Sequence, residues 1–383
     1  MNKYENSARV KALILEKGFR LNSNALEGLG TKYKEEHRGY DDSNWGVDKN
    51  MVVPSEILLP GNIVSCTHIR PDSPHEIRMA DDGKKYFFEN GTDPVSEISY
   101  LPRPKVWAKK LTDGSDIKGV VNFYGHKTLN VNIYSGCEFW DKGVPCKFCS
   151  VSPTQKRFGE AIIKKTPAQI REAVSNAFSS GDEIDFVLTT GGSTANPDIE
   201  FDAHVNALNI IKEYTPWNGK IRGNTALMPP LKLEKLKLLY ETGMEHPSFN
   251  LEVWGEDKFK QICPGKEKFR GHKNIIEAYK YGIKNFYGEG AFWCNFVAGI
   301  NTLEELKKGF TYMGDLGVIP GANVFHPDVG AILGRTLKSP SYNYIVELYK
   351  HAAKIYHEKG YKPFFTESSL RNSLANEAYK GWL

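Results

Sequence analysis

Three cysteines lie close together near the middle of the chain. Eight residues separate Cys137 from Cys146, and two residues separate Cys146 from Cys149. Cysteine thiolates are soft ligands that suit zinc and iron–sulfur clusters. Gly143 and Pro145 indicate that the segment is a loop rather than a helix. Three thiolates on one loop can therefore converge on a single centre.

The spacing leaves three kinds of centre open. A structural zinc site has four protein ligands, but the nearest histidine, His126, lies eleven residues before Cys137. Iron–sulfur clusters are also held by cysteine thiolates, usually four, and three would leave one iron open to another ligand. Thiols without a metal are the third possibility. In a reducing compartment such clustering favours metal binding over disulfides, so we expect an open iron–sulfur site. The other cysteines are far apart, and we expect them to be small buried side chains: Cys66, Cys263 and Cys294.

The composition is that of a globular protein. The 383 residues include 50 Lys and Arg against 46 Asp and Glu, which gives a formal charge of +4, and 40% are hydrophobic. These values exclude a disordered or fibrous chain. No run of Lys and Arg indicates a nucleic-acid groove, and no uncharged apolar stretch approaches 18 residues. The charged N-terminal segment lacks a signal-peptide core, so we expect a cytoplasmic protein.

From about residue 129 onward, apolar runs alternate with amphipathic helices. The candidate strands are residues 129–134, 186–190, 220–224, 248–252, 292–298 and 321–325. The candidate helices begin at Thr166-Pro167 or cover about 201–214, 231–242, 271–282, 302–314 and 341–358. Six such alternations predict an α/β fold with a parallel sheet, a partial (β/α)6 TIM-like barrel. A doubly wound open sheet is the competing topology. In barrels, active sites lie at the carboxyl ends of the strands.

Three regions follow from this pattern. We expect an N-terminal extension over residues 1–128, with a short helix at about 8–17 and a hairpin around Asp82-Gly83. It is a candidate substrate lid or partner-docking surface. The barrel core covers residues 129–330, and a C-terminal helix and tail over 331–383 are expected to close the barrel.

The cysteine segment resembles the radical S-adenosylmethionine (radical SAM) superfamily. There, three residues and then two separate the cysteines, and an aromatic residue precedes the last cysteine. Phe148 occupies the aromatic position and the second gap agrees, whereas the first gap is eight rather than three. Thr190, Gly191, Gly192 and Ser193 lie at the end of the second candidate strand. They are similar to the superfamily's glycine-rich motif, in which an acid commonly stands where Ser193 does.

Two later segments resemble biotin synthase and lipoyl synthase. Asn250 and Glu252 match an Asn-Leu-Glu motif whose polar residues bind the ribose hydroxyls of the cofactor in those enzymes. Arg270 lies at the offset of a biotin synthase arginine that pairs with the methionine carboxylate. Independently of the resemblance, polar residues at other predicted strand ends are candidates for the substrate cavity: Arg222, Asn224 and His326.

The resemblance implies a cofactor set and a reaction. Cys137, Cys146 and Cys149 would hold a 4Fe–4S cluster whose open iron binds S-adenosylmethionine (SAM). Such an enzyme cleaves SAM reductively to a 5′-deoxyadenosyl radical, which abstracts a hydrogen atom from a small organic substrate. The implied partners are that substrate and a reducing electron donor such as flavodoxin or ferredoxin, not a nucleic acid or a membrane. Alternatives are a zinc-stabilised binding module, an iron–sulfur electron-transfer or scaffold protein without radical chemistry, and sulfur insertion as in biotin and lipoyl synthase.

Overall fold

The computed structural model describes residues 1–30, 32–35, 53–158, 163–328, 330–363 and 370–383. Its strands are β1 (Arg20–Leu21), β2 (Glu56–Leu59), β3 (Ile63–Cys66), β4 (Glu76–Met79), β5 (Lys85–Glu89), β6 (Asp93–Glu97), β7 (Ser99–Tyr100), β8 (Val121–Tyr124), β9 (Thr128–Asn132), β10 (Phe186–Thr190), β11 (Ile221–Ala226), β12 (Met244–Ser248), β13 (Trp293–Ala298) and β14 (Ile319–Val324). Its α-helices are α1 (Lys3–Lys17), α2 (Glu138–Asp141), α3 (Val151–Phe158), α4 (Pro167–Ser179), α5 (Pro197–Lys212), α6 (Leu236–Glu241), α7 (Glu256–Ile262), α8 (Pro264–Phe269), α9 (His272–Gly282), α10 (Leu303–Asp315), α11 (Tyr342–Lys359) and α12 (Ala375–Tyr379).

The main sheet has seven strands in the order β14-β13-β12-β11-β10-β9-β8. Strands β9 to β14 are parallel, and β8 pairs antiparallel with β9. Residues of both edge strands, β8 and β14, line the same cavity, so the sheet curls around it. The predicted α/β partial barrel is confirmed, with β8 as an additional antiparallel edge.

Helix caps place the outer layer where the sequence predicts it. α4 begins with a capping box in which Thr166 and Gln169 bond reciprocally, with Pro167 in its first turn. Ile170 and Val174 lie one turn apart on its buried face. Thr302 caps α10 in the same way. α4 packs on β8 and β9, and α10 packs on β14. The first four residues of β9 are buried, as parallel sheets require.

The predicted fourth strand is wrong. Residues 248–252 were expected to be extended, but β12 ends at Ser248. The apolar side chains of Phe249, Leu251 and Val253 are buried, which explains the strand-like pattern. Glu252 has a φ of 66°, a left-handed conformation that ends a regular strand. The segment therefore leaves regular pairing after Ser248 and pairs with β13 again only at Glu252, which forms a parallel bridge with Phe296.

The N-terminal region forms two small sheets. One has the order β1-β4-β5-β6 and includes the predicted hairpin, β4 with β5; the other has the order β3-β2-β7. α1 begins at Lys3 rather than near residue 8, because Asn2 caps it in a capping box with Glu5. The expected boundary at residue 128 falls in the hairpin of β8 and β9, so the extension contributes one strand to the main sheet.

The C-terminal tail returns to the N-terminal region. The N–H of Cys66 in β3 donates to the Arg371 carbonyl at 2.9 Å, and the N–H of Val324 in β14 donates to the Asn372 carbonyl at 3.0 Å. Residues 370–383 thus connect the edge of the main sheet with a smaller sheet, whereas residues 364–369 lie outside the described part of the tail. Among the described helices, none combines the length and apolar character needed to cross a membrane.

Candidate functional site

The cysteine loop, residues 137–149, follows β9 at the carboxyl edge of the sheet. The N–H of Cys137 donates to the Ser152 hydroxyl at 3.1 Å. The N–H of Ser193 lies 3.4 Å from the Cys137 sulfur and donates to it. At the other end of the loop, the N–H of Cys149 donates to the Cys146 carbonyl at 3.0 Å. The bond between Cys149 and Cys146 fixes the loop from within. The bond from Ser193 fixes it from the segment that follows β10, the strand next to β9.

The three thiols lie within each other's electrostatic range. Besides burial, the charge of Cys146 raises the pKa of Cys137, and the charges of Cys146 and Cys137 both raise the pKa of Cys149. A hydrogen bond to Cys263, followed by burial, raises the pKa of Cys146 well above its usual value. Burial raises the pKa of Cys137, and raises that of Cys149 to about 12. The metal-free loop therefore carries neutral thiols at neutral pH, and metal binding must release their protons.

The two glycines after β10 pack against the cysteine loop. A Cβ atom on Gly192 would lie 2.0 Å from the Gly136 carbonyl oxygen, and one on Gly191 would lie 2.7 Å from the Tyr134 nitrogen. The Gly192 N–H donates to the Tyr134 carbonyl at 2.9 Å. Because glycine has no side chain, the two backbone segments can approach each other closely here. β10 ends at Thr190, so the two glycines follow the strand directly.

Glu200 is a buried acid that the sequence argument missed. Its carboxylate accepts the N–H of Thr194 at 3.2 Å and the N–H of Met228 at 2.7 Å, and it also bonds the Ser193 side chain. Burial raises the pKa of Glu200 to about 7. The signal that could have located it is Asn196-Pro197, a helix cap that starts α5 four residues earlier than expected. The chain thus supplies an acid behind Ser193, the position at which the resembled motif itself commonly has an acid.

Asn250 and Glu252 lie beside the cysteine loop. The Lys266 ammonium donates to the Asn250 carbonyl at 2.9 Å and to the Glu252 carboxylate at 2.6 Å. The Asn250 side-chain oxygen accepts the N–H of Asn295 at 3.0 Å. Glu252 lines a large cavity, whereas the Asn250 side chain is hydrogen-bonded to the neighbouring strand, β13. A left-handed, non-glycine conformation such as that of Glu252 is often kept at functional sites.

Arg270 is buried near the start of α5. Its side chain is 9% exposed, and its Nε has no hydrogen-bond partner among the residues that the structure describes. Burial lowers the pKa of Arg270, and the charge of Asp198 opposes that effect. The preceding Phe269 stacks on Phe139 of the cysteine loop, with ring centroids 5.4 Å apart. Arg270 is therefore attached to the loop through this stacked pair.

The three substrate-cavity candidates have different outcomes. Arg222 was expected at the end of the third strand, but it is the second residue of β11; it is exposed and stacks on Phe186 and Trp217. Asn224 is buried within the sheet and donates to the His246 carbonyl. Neither residue lines the cavity. The strand end was misjudged, because β11 continues to Ala226, two residues beyond the predicted end. His326 lines the cavity.

A cavity of about 910 Å³ is lined by residues of the cysteine loop and by residues from other parts of the chain. We call the side formed by Phe148, Cys149 and Glu252 the cysteine wall. We call the side formed by Lys34, Tyr124, His326 and Arg371 the tail wall; all seven residues line this cavity. The His326 ring packs on His68 at 4.3 Å between centroids. Parts of the chain that are distant in sequence thus meet around this cavity.

Comparison with known proteins identifies the domain that contains the cysteine loop. Residues 131–309 match the Radical SAM superfamily. The chain carries a radical SAM domain. It is also 22% identical over 277 residues to bacteriochlorophyllide c C-7(1)-hydroxylase of Chlorobaculum limnaeum. That alignment covers 64% of this chain and 64% of the relative, so it spans less than two thirds of the relative's length.

Several solved structures match this chain over part of their length, each with a TM-score below 0.5. Coproporphyrinogen III oxidase of Escherichia coli matches with a TM-score of 0.42 and 11% identity, over 63% of this chain and 54% of that one. A radical SAM methyltransferase from Sphaerobacter thermophilus matches with 0.45 and 17%, over 76% of each chain. Methylornithine synthase matches with 0.44 and 15%, over 66% and 72%.

The residues around the cysteine loop fit the groups that radical SAM proteins use, a 4Fe–4S cluster and SAM. Three thiols provide a donor set for iron. Buried polar atoms without a partner in the described part of the chain include the Tyr134 hydroxyl, Trp140 Nε1 and Arg270 Nε, and such atoms are stabilised when a ligand bonds them. Within the described ranges, no three His, Cys, Asp or Glu side chains are grouped to hold a single metal ion.

Proposed function

We propose that this chain is a radical SAM enzyme that acts on a small organic substrate in the 910 Å³ cavity. When bound, the cluster and SAM supply a one-electron cleavage to methionine and a 5′-deoxyadenosyl radical, which takes a hydrogen atom from a C–H bond. The observation that carries the proposal is that Cys149 and Phe148, from the cysteine loop, line the same cavity as Glu252 and His326.

Three groups of residues have proposed roles toward the cofactors. Cys137, Cys146 and Cys149 would hold three irons of the cluster. Glu252, fixed by its ion pair with Lys266, would accept hydrogen bonds from the ribose hydroxyls of SAM. The other proposed cofactor contacts are Phe148, Thr190, Gly191, Gly192, Ser193, Asn250 and Arg270.

Arg270 and Glu200 offer opposite charges for the methionine end of SAM. The guanidinium, with its buried Nε, suits a carboxylate. Glu200 bonds Ser193, so a hydroxyl of Ser193 backed by a carboxyl group would replace the acid of the resembled motif. The tight contact of Gly192 with Gly136 and Cys137 would hold Ser193 at a fixed distance from the thiols.

The cavity is large enough for a cofactor and a second molecule. Drug-sized ligand pockets measure roughly 300–1,000 Å³, and this one lies near the top of that range. Both walls are needed to exclude water from a reactive radical. The curated relative is named as a hydroxylase. A hydroxylation with this start would replace the C–H bond by a C–O bond, with water as the source of oxygen, one further electron leaving the substrate radical, and SAM as the overall two-electron oxidant. We also propose a cytoplasmic setting and a flavodoxin or ferredoxin as the electron donor.

The test is formation of 5′-deoxyadenosine. The full chain is reconstituted anaerobically with iron and sulfide, mixed with SAM and dithionite, and the nucleoside is quantified by mass spectrometry. We expect product from the unaltered chain and from Cys66→Ala, a buried cysteine outside the loop, but none from Cys146→Ala. Bound iron without product would contradict the radical reaction and favour an electron carrier. Bound zinc without iron would favour a binding module.

A further inference from the structure

The segment that follows β14 turns back onto the cysteine loop. The part of this segment that contacts the loop, which we call the clasp, consists of Asp328 and residues 330–334. The N–H of Leu333 donates to the Lys147 carbonyl at 2.8 Å. The Ser150 hydroxyl donates to the Asp328 carboxylate at 2.5 Å. The clasp is therefore hydrogen-bonded to the residues on both sides of the Cys149 position.

Two glycines allow the clasp to pack this closely. A Cβ atom on Gly334 would lie 1.8 Å from the Asp328 carbonyl oxygen. A Cβ atom on Gly330 would lie 3.1 Å from the Ser150 Cβ and 3.0 Å from the Cβ of Pro153 in α3. The Gly330 N–H also donates to the Asp328 carboxylate at 3.3 Å. The clasp thus orients its own carboxylate toward Ser150.

Asp328 differs from the other charged residues around the cavity. Asp328 and Ser150 both line the cavity, beside Cys149. In the described part of the chain, every other charged residue that lines the cavity belongs to an ion pair. The Asp328 carboxylate forms none with the described residues and accepts hydrogen bonds from Ser150 and Gly330. A hydrogen bond to a carboxylate is stronger than one between neutral groups, so this bond is suited to holding the loop.

The two ends of the cysteine loop are held by different elements. At the first end, Cys137 is bonded to Ser152 of α3 and to the N–H of Ser193. At the other end, the clasp bonds Lys147 and Ser150. β14 is one edge of the main sheet, whereas the cysteine loop follows β9, near the opposite edge. The clasp therefore bridges the two sides of the curled sheet beside the cavity.

We propose that the clasp fixes the Cys149 end of the cysteine loop and closes the barrel beside the cluster, with Asp328 as its positioning residue. The inference rests on the proposed function, in which Cys149 binds iron. Groups that hydrogen-bond behind a metal site orient its ligands and control solvent access. Because a weakened clasp lets this end of the loop open locally more often, iron then leaves and dioxygen enters more readily.

The test measures how long the cluster persists, not turnover. Full-length chains reconstituted anaerobically with iron and sulfide are mixed with excess bathophenanthroline disulfonate, and iron release is followed by absorbance. Separate samples are exposed to air, and the loss of the visible absorption of the cluster is timed. We expect Asp328→Ala and Ser150→Ala each to speed both processes several-fold, while the urea midpoints fall only slightly.

Two further variants test the bond itself. Asp328→Asn keeps one side-chain oxygen that can accept the Ser150 hydroxyl, and should fall closer to the unaltered chain than Asp328→Ala does. The double variant of Asp328→Ala with Ser150→Ala should be no faster than Asp328→Ala alone, because both substitutions remove the same bond. Rates that multiply in the double variant would show that the two residues act separately and would overturn the inference.

Controls separate this inference from the proposed function. Asp116→Ala removes an exposed acid that lines the same cavity, and we expect it to release iron at the unaltered rate. Rates in Asp328→Ala and Ser150→Ala that equal the Asp116→Ala rate would overturn the role of the clasp while leaving the cluster intact. Faster release that only follows a lower urea midpoint would also overturn it, because the effect would then be global unfolding. A complete cluster in Cys146→Ala would contradict the proposed function itself.

Discussion

The cysteine wall and the tail wall of the cavity are built in different ways. Phe148 and Cys149 come from one loop with a short spacing pattern. In the tail wall, Arg371 donates to Glu56 at 2.8 Å, although 315 positions separate them in the sequence. Lys34 pairs with the same Glu56 at 2.6 Å. The proposed cluster ligands thus come from one local segment, whereas the tail wall joins Lys34 and Arg371, from near the two ends of the chain, to Tyr124 and His326.

The two walls also differ in how deeply their charges are buried. In the cysteine wall, the ion pair of Glu252 with Lys266 is 13% exposed at both side chains, while the tail wall carries ion pairs that are nearly or fully buried. The guanidinium of Arg371 also lies 4.0 Å above the Tyr124 ring, a favourable cation–π contact. Breaking a buried pair leaves an uncompensated charge. The tail wall should therefore tolerate substitution less well, even though it holds none of the proposed cluster ligands.

The largest expected effect is on the attachment of the tail. Lys11 in α1 donates to Glu377 at 2.7 Å and to the Leu370 carbonyl at 2.6 Å, and both side chains of the pair are fully buried. Lys11→Met should destabilise the chain by about 3–5 kcal/mol, because Glu377 is left buried without its partner. Urea unfolding followed by circular dichroism measures this loss.

Two controls sharpen the comparison between the walls. Lys17→Met, at an exposed position of the same helix, should change stability by less than about 0.5 kcal/mol. Adding Glu377→Gln to Lys11→Met should recover part of the loss, because the buried charge is removed. Iron bound per chain should stay the same in all three variants below the unfolding midpoint. Iron loss in proportion to the lost stability would show that the two walls are not independent.

The next effect concerns pH and the cysteine side. Burial raises the pKa of Glu200 to about 7, from 4.5 in the unfolded chain. As the pH rises from about 4.5 to about 7, the unfolded chain loses this proton first, so the native state loses about 3 kcal/mol of stability. Glu200→Gln cannot titrate and should flatten that dependence. Urea midpoints measured at about pH 5 and about pH 8 test this prediction. An equal change of the midpoint between the two pH values in Glu200→Gln and in the unaltered chain would contradict it.

The fold was largely predictable because its signals are local. Periodicity and caps located five of the six parallel strands and most of their helices, and residue types located the cysteine loop. The fourth strand failed because burial of residues 249–253 looks the same in sequence whether the backbone is extended or turned. The pairing of Cys263 with Cys146, or of Arg371 with Glu56, follows from tertiary packing, which no spacing rule encodes. Arg222 was misplaced because β11 ends two residues later than predicted. A difference of two residues decides whether a side chain lies at the carboxyl end of the sheet.

A smaller effect tests the contact between the glycines and the loop. Gly192→Ala puts a Cβ atom 2.0 Å from the Gly136 carbonyl oxygen and 2.7 Å from the Cys137 Cβ. The required shift should cost about 1–3 kcal/mol and reduce iron bound after reconstitution several-fold. Gly136→Ala is the matched control, since its new Cβ would meet only the exposed Ile163 side chain at 3.3 Å. Equal iron content in the two variants would refute the packing role.

The smallest effect concerns a single hydrogen bond that holds the loop. Ser152, 4% exposed in α3, accepts the N–H of Cys137 at 3.1 Å. Ser152→Ala leaves that N–H without its partner and should destabilise the chain by about 1 kcal/mol. Because the lost bond fixes a proposed ligand and not the tail, iron should dissociate faster in the presence of a chelator, while the urea midpoint falls only slightly. Ser179→Ala, which removes an exposed serine of α4, is the matched control. A Ser152→Ala chain that releases iron at the same rate as this control would mean that the bond to Ser193 alone holds Cys137 in place.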